Sequence, residues 1–321
     1  MAVLEFERPL VELEKRVEAL RVQVHLGESS PGELDKLQRK LERLRSKVMD
    51  GLSPWQRVQL ARHMDRPHTL DFLQGMLDEF VELKGDRMGY EDPAVVGGLG
   101  RLRGMPVVVL GHEKGRTPKE RLERRFGMPH PEGYRKALRL MDLAERFRRP
   151  VIALVDTPGA YPGVDAEARG QAAAIAQNLL RWADLSVPSV AVIIGEGGSG
   201  GALALAMADR VLMMEHSVYS VISPEGCAAI LWRDEAKKEA AAAVLRLTAQ
   251  DAMALGVISE IVKEPPGGAH KDPEAAIGAV ADACQRHLEE LLRMSPQERK
   301  KLRAESYRRM GVIRLDGERG K

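Results

Sequence analysis

The stretch IIGEGGSGGALALAMAD at 193–209 restricts what this chain can fold into more than any other segment. An apolar run of strand length enters a turn carrying Gly195, Gly197, Gly198, Gly200 and Gly201, and a helix of alanine and leucine leaves it. Lacking Cβ atoms, such a turn lets other backbone, or a ligand, come close to the main chain. The N–H groups that open the helix have no intrahelical partner, and the dipole there favours negative charge. Strand, glycine turn and helix together make the construction of an oxyanion hole. The same glycines would also serve close helix–strand packing, and the local pattern leaves both readings open.

Three other signatures overlap this region. Gly195, Gly197 and Gly200 fit G-x-G-x-x-G, but they fall mid-chain and do not open a nucleotide-binding βαβ unit. Gly197, Ser199 and Gly201 fit the G-x-S-x-G nucleophile elbow, which would make Ser199 the nucleophile of a serine hydrolase. His112, His216 and Asp156 are available as partners, though nothing local specifies a triad. Asp156–Gly159 fits the DxxG switch of GTPases, yet the chain has no GxxxxGK[ST] loop to cradle a phosphate.

Two more segments could join the turn in a site. VDTPGAYPGVDAEARGQAAAIA (155–176) is a second strand–loop–helix unit, and its prolines and glycines order a loop at a strand's C-terminal end. Sheets of α/β type place ligands there; the alternative is an ordinary connector. HEKGRTPKERLERRFGMPHPEGYRK (112–136) carries Lys114, Arg116, Lys119, Arg121, Arg124 and Arg125 against Glu113, Glu120 and Glu123. A loop so basic suits the phosphates of a nucleotide-like ligand; a solvated charged face is the alternative.

Apolar periodicity gives the architecture. Val3, Phe6, Leu10, Leu13, Val17, Leu20 and Val24 step by three and four, and Leu34, Leu37, Leu41, Leu44 and Val48 repeat the step. GESSPGE at 27–33 breaks between them, with Pro31 placed to begin a helix. A helical hairpin over 1–52 is expected, its seam closed on itself or against a partner, followed by one large domain over 53–321. In that domain helices are expected at 55–64 and 69–82. Strand-length apolar runs come next, at 95–102, 106–111, 151–156, 189–195, 211–215 and 257–262. Helix-length segments at 132–147, 165–183, 200–208 and 224–232 separate them, and 235–256 and 274–310 read as further helices. The order predicts an α/β fold whose strands are covered on both faces.

Composition narrows the function. Charged residues make up 30% and the net charge is +2, which argues against a surface built wholly for nucleic acid. No apolar stretch approaches the ~20 residues of a membrane helix, and the charged start lacks a signal core. Cys227 and Cys284 lie far apart with no CxxC, so the sequence argues against a structural zinc cluster and for reduced thiols in the cytoplasm.

GHEKGRTPKERLERRFGMPHPEGYRKALRLMDLAERF, DTPGAYPGVDAEARGQAAAIA, IGEGGSGGALAL and YSVISPEGCAAILW together resemble the carboxyltransferase alpha subunits of bacterial acetyl-coenzyme A carboxylase. The resemblance runs from LEFERPLVELE to EPPGGAHKDPEAA, and the tail beyond 312 is least like the family. It implies a crotonase-like fold of stacked ββα units. It also implies transfer of a carboxyl group from carboxybiotin, on a biotin carboxyl carrier protein, to acetyl-coenzyme A, giving malonyl-coenzyme A for fatty acid synthesis. By the same resemblance the partners are a beta subunit, in an α2β2 assembly that carries the zinc, and a separate biotin carboxylase that uses the ATP. No bound cofactor or metal is implied for this chain. The backbone N–H groups of Gly200 and Gly201 would form one oxyanion hole. Gly197, Gly198, Gly159, Ala160, Tyr161, Arg116, Arg124 and Arg125 would contact substrates.

Overall fold

The computed structural model describes residues 3–311. The expected end of the large domain, 312–321, lies outside the described residues. Helices α1 (Arg8–His25) and α2 (Pro31–Asp50) form the hairpin. Ser30 caps α2 by accepting the Gly32 N–H, and Pro31 opens it. The seam closes on itself: Leu10, Leu13, Val17 and Leu41 are buried together, with Leu34, Leu37, Leu44 and Val48 against them. Arg45 and Glu14 pair across it at 2.9 Å. At its base Phe6, Met49 and Leu52 pack on Leu60 of α3 (Pro54–Ala61), which ties the hairpin to the rest of the chain.

One eight-stranded sheet forms the body. Its strands are β1 (Glu79–Glu82), β2 (Val95–Leu102), β3 (Met105–His112), β4 (Val151–Thr157), β5 (Ser189–Gly198), β6 (Arg210–Met214), β7 (Val218–Ser220) and β8 (Glu260–Val262). The order is β1-β2-β3-β4-β5-β6-β8, antiparallel through β3 and parallel from there on, with β7 added alongside β5. Helices α4 (Thr69–Met76), α5 (Pro118–Glu123), α6 (Pro131–Phe147), α7 (Val164–Ala168), α8 (Gln171–Asp184), α9 (Ser199–Ala206), α10 (Pro224–Trp232), α11 (Lys238–Leu245), α12 (Ala249–Ala254), α13 (Pro273–Leu292) and α14 (Pro296–Arg308) fill the connections.

The parallel strands are apolar throughout because both faces are covered. Val151, Ala153 and Val155 of β4 face α6, α8 and α9, whereas Ile152 and Leu154 face α4 and α13. Trp182 of α8 is fully buried and donates its indole N–H to the Ala204 carbonyl of α9 at 2.9 Å, which fixes the two helices in register.

Several elements differ from the periodicity. The expected helix 69–82 stops at Met76, and 79–82 forms β1 on β2. The basic segment contains α5, started by Thr117, Pro118 and a reciprocal bond from Glu120. The long helices expected at 165–183, 235–256 and 274–310 are each broken into shorter ones. Strand β7 has three residues, too few for any period to register.

The bend in β5 decides where the glycine turn goes. Val155 of β4 pairs with Ile193, but the next pair is Thr157 with Gly197, so β5 carries two extra residues at the break. Before it β5 pairs with β6; after it, Glu196, Gly197 and Gly198 pair with β7. A bulge of this kind turns a strand and re-aims the residues beyond it.

Candidate functional site

The two loops singled out in the sequence meet at the C-terminal ends of β4 and β5. They touch backbone to backbone. A Cβ built on Gly198 would lie 2.1 Å from the Pro158 carbonyl oxygen, and one on Gly201 would lie 2.4 Å from the Ala160 nitrogen. No side chain fits at either position, so these glycines are required by contact between the loops. At Gly201 the space a side chain would take is filled by Gly159 and Ala160. Gly200 behaves differently. Its nearest neighbour for a Cβ is Ile175 at 3.9 Å, and the residue opens on a cavity.

That cavity measures about 310 Å³ and is lined by Ser199, Gly200, Leu203, Tyr219, Val221 and Tyr307, among others. It is an apolar pocket with the first turn of α9 in its wall, and the opening N–H groups of that helix are free of intrahelical partners. Burial pushes the Tyr219 phenol up to about 12, so it stays neutral beside the pocket. Thr157 Oγ1 accepts the Gly159 N–H at 3.0 Å and donates to the Gly159 carbonyl, pinning the second loop. Gln171 of α8 donates to the Tyr161 carbonyl, and the Tyr161 ring stacks on His130 with centroids 4.4 Å apart. Gly197, Gly198, Gly200, Gly201, Gly159, Ala160 and Tyr161 are thus brought into two apposed loops.

The three arginines each make contacts within the chain. Arg116 pairs with Asp71, Arg125 pairs with Asp92, and Arg124 donates to the Pro93 carbonyl at 2.7 Å. Each ties the 112–128 segment to the segments that precede β2 in the chain. Arg121, which was not among the expected substrate contacts, lines a smaller cavity with Phe126, Pro158, Lys114 and Glu196.

Beneath the bend lies a buried charged cluster. Lys114 Nζ sits 2.7 Å from both Asp156 Oδ1 and Glu196 Oε2. Burial alone would lower the ammonium, but the two carboxylates outweigh it and hold it above its ordinary value. Asp156 would be raised by burial; Lys114 and His68 reverse this and hold it well below the carboxylate range. Glu196 also accepts from Arg62 at 2.6 Å, and Arg62 reaches on to Glu225 of α10.

The hydrolase triad is not assembled. Asp156 is held by Lys114, His216 Nδ1 faces Arg57 at 2.9 Å, and His112 is fully buried, its imidazole pushed down to about 3 by desolvation. Ser199 is exposed and left-handed, with φ at +52°. That corner explains the match to the nucleophile elbow, which needs the same strained turn. Ser199→Ala should therefore keep most of the carboxyl transfer that the resemblance implies, and fluorophosphonates should leave the wild-type chain unlabelled. Stoichiometric labelling at Ser199 would revive the hydrolase.

Among the described residues, Glu7, His63 and His270 form a buried group with donor atoms within 4.8 Å of one another. It lies at the hairpin's base, and His63 also lines the cavity shared by Lys114, Pro158 and Glu196. Its imidazoles stack face to face, 4.1 Å apart and inclined by 29°, whereas ligating nitrogens aim at a metal edge-on. His270 Nε2 and Glu7 Oε1, 2.8 Å apart, make a hydrogen bond that clasps the hairpin to the domain.

This mixed α/β chain, with its central sheet and covering helices, has the crotonase-like fold. Transcarboxylase 12S superposes with a TM-score of 0.54 at 21% identity, covering 68% of this chain and 42% of that one. A Pseudomonas malonate decarboxylase hetero-tetramer solved with coenzyme A gives 0.57 at 20%, covering 75% and 93%. At such identities the likeness speaks for the fold. The family follows from closer relatives: the chain belongs to the acetyl-coenzyme A carboxylase carboxyltransferase alpha subunits. A family pattern described as acetyl co-enzyme A carboxylase carboxyltransferase-like matches residues 3–311. The Geobacter metallireducens alpha subunit is 55% identical over 307 residues, covering 96% of both chains. That of Thermus thermophilus is 55% identical over 311 residues, covering 97% of this chain and 98% of its own.

Sequence reasoning missed the far walls of the pocket. Tyr307 and Met310 come from the C-terminal end of the chain, held by Arg303, whose Nη1 lies 2.8 Å from the buried Asp209. Nothing in their local spacing marks them, because only the packing of α14 against the body brings them to Gly200.

Proposed function

We propose that the apposed loops Pro158–Ala160 and Gly198–Gly201 form one oxyanion hole of a two-subunit carboxyltransferase. The observation that carries this is the side-chain-free contact between them, which leaves the first turn of α9 open on the pocket. The reaction moves a carboxyl group from carboxybiotin to acetyl-coenzyme A. When carboxybiotin gives up that group, negative charge falls on its ureido oxygen. When the acetyl methyl loses a proton, charge falls on the thioester oxygen. Two anions require two holes, and this chain supplies one such glycine turn. The N–H groups of Gly200 and Gly201 serve the biotin side, and a beta subunit supplies the other hole. The biotin anion takes the methyl proton, so no side-chain base is needed here. Gly197, Gly198, Gly159, Ala160 and Tyr161 shape the cradle. Arg116, Arg124 and Arg125 act by holding the 112–128 segment in place.

The partners in this reading are a beta subunit in an α2β2 assembly, a biotin carboxyl carrier protein and a biotin carboxylase. The compartment is the cytoplasm, which agrees with two free, buried thiols. Among the described residues no helix is long and apolar enough to cross a membrane. The test is transfer by the purified chain, alone and after mixing with its beta subunit. The isolated chain is expected to be inactive and the mixture active. Robust turnover by a verified beta-free preparation would overturn the reading.

A further inference from the structure

We propose that Lys114 is a positioning residue for carboxyl transfer: it clamps Asp156 to Glu196 and so fixes the bend that aims the glycine turn. This rests on the oxyanion-hole reading and deepens it. Several observations converge on the clamp. The bend in β5 falls at the two extra residues between Ile193 and Gly197, opposite Asp156. At this break the Asp156 carboxylate takes over from a strand partner, accepting the Glu196 N–H on Oδ1 at 2.9 Å. The same oxygen lies 2.4 Å from where a Gly195 Cβ would stand, so the carboxylate is seated against bare backbone. Lys114 then bridges Asp156 Oδ1 and Glu196 Oε2, each at 2.7 Å. His68 Nδ1 stands 3.4 Å from the other Asp156 oxygen. Arg62 holds the other oxygen of Glu196 at 2.6 Å. Every side chain in the clamp is mostly buried, and Asp156 almost wholly so.

Glu196 stands directly before Gly197, Gly198, Ser199, Gly200 and Gly201. Its backbone enters β7 pairing while its carboxylate is anchored behind it. A shift of the clamp therefore rotates the N–H groups of the turn relative to the pocket without removing any atom that touches substrate. Loss of alignment in a preorganised hole appears in the chemical step and leaves ground-state binding largely intact. One ammonium opposite two carboxylates also explains why a lysine is needed: with an apolar chain in its place, two buried acids would face each other with no cation between them.

The test uses the complete enzyme with its beta subunit. Lys114→Met is expected to lower kcat by ~100-fold, with KM for both substrates within about threefold, in a complex that still co-elutes. Lys114→Arg, which keeps the charge, should recover at least tenfold of that loss. Glu196→Gln removes only the outer leg and should lower kcat by roughly tenfold, giving a readout if Lys114→Met fails to fold. Unchanged kcat in Lys114→Met or in Glu196→Gln would overturn the proposal. So would a rise in KM at unchanged kcat, or activity that falls only in step with the amount of paired enzyme. Gly201→Ala is assayed alongside. If it slows the enzyme and Lys114→Met does not, the clamp is refuted and the hole stands. If neither slows it, the hole itself is refuted.

Discussion

Gly201→Ala is expected to cut carboxyl transfer by ~100-fold or more while leaving the subunit able to pair with beta. The added methyl would stand 2.4 Å from the Ala160 nitrogen and 2.6 Å from the Gly159 carbonyl carbon. Both are backbone atoms, so neither can step aside by changing rotamer. The Tyr134 hydroxyl, 2.9 Å away and fully buried, closes the remaining direction. The two loops must then move apart, and misplacing one oxyanion donor costs about 2.7–4 kcal/mol of barrier. Gly200→Ala supplies the contrast in folding. Its methyl meets nothing closer than Ile175 at 3.9 Å, so stability should stay within about 0.5 kcal/mol of wild type. Melting temperature, turnover and co-elution with beta decide the matter together. Normal turnover in a paired Gly201→Ala enzyme would end the assignment of the turn. Loss of pairing along with activity would show that these glycines only pack.

The readable part of the site was its glycine turn, because close backbone approach leaves a compositional mark. The parallel strands were readable too, since burial on both faces makes them continuous apolar runs. Helix α5 was also legible: Thr117, Pro118 and Glu120 spell an N-cap, a first-turn proline and a capping box. The density of charge around them favoured a loop instead. Strand β1 was not legible, because Phe80 and Leu83 continue the spacing of α4 and only pairing with β2 converts the segment to a strand. The partners of the arginines were hidden for a related reason. A basic run states that charge is present, and only the fold reveals that Asp71, Asp92 and the Pro93 carbonyl stand opposite it. Lys114 lay in the same run and carried no distinguishing signal, since its two acids come from β4 and β5, distant in sequence.

Arg66→Met is expected to destabilise the chain by about 3–5 kcal/mol at neutral pH, because it strands a buried carboxylate. Arg66 and Glu264 form a forked pair, at 2.6 and 2.9 Å, and neither side chain is more than 2% exposed. The pair also serves the site. Arg66 Nε donates to the Ile194 carbonyl at 2.7 Å, one residue before Gly195 and the bend. Glu264 in turn accepts the His216 N–H at 2.9 Å and the Ala269 N–H at 2.7 Å, so it ties β5 to the segments after β6 and β8. Burial would raise the Glu264 carboxyl, but Arg66 and His216 outweigh it and hold the group down at about 2 against an ordinary 4.5. A folded-state value below the unfolded one contributes stability above pH 4.5 and loses it as pH falls toward 2. In Arg66→Met the unpaired carboxylate gains by taking up a proton, so the penalty should be greatest at neutral pH and shrink below pH 4.5. The double change Arg66→Met with Glu264→Gln should recover part of the loss, because no charge is then left buried. Urea unfolding of the three variants at pH 7 and pH 4 measures this. A loss under 1 kcal/mol at pH 7, or a double variant no more stable than Arg66→Met, would show that the pair does not hold the bend from below.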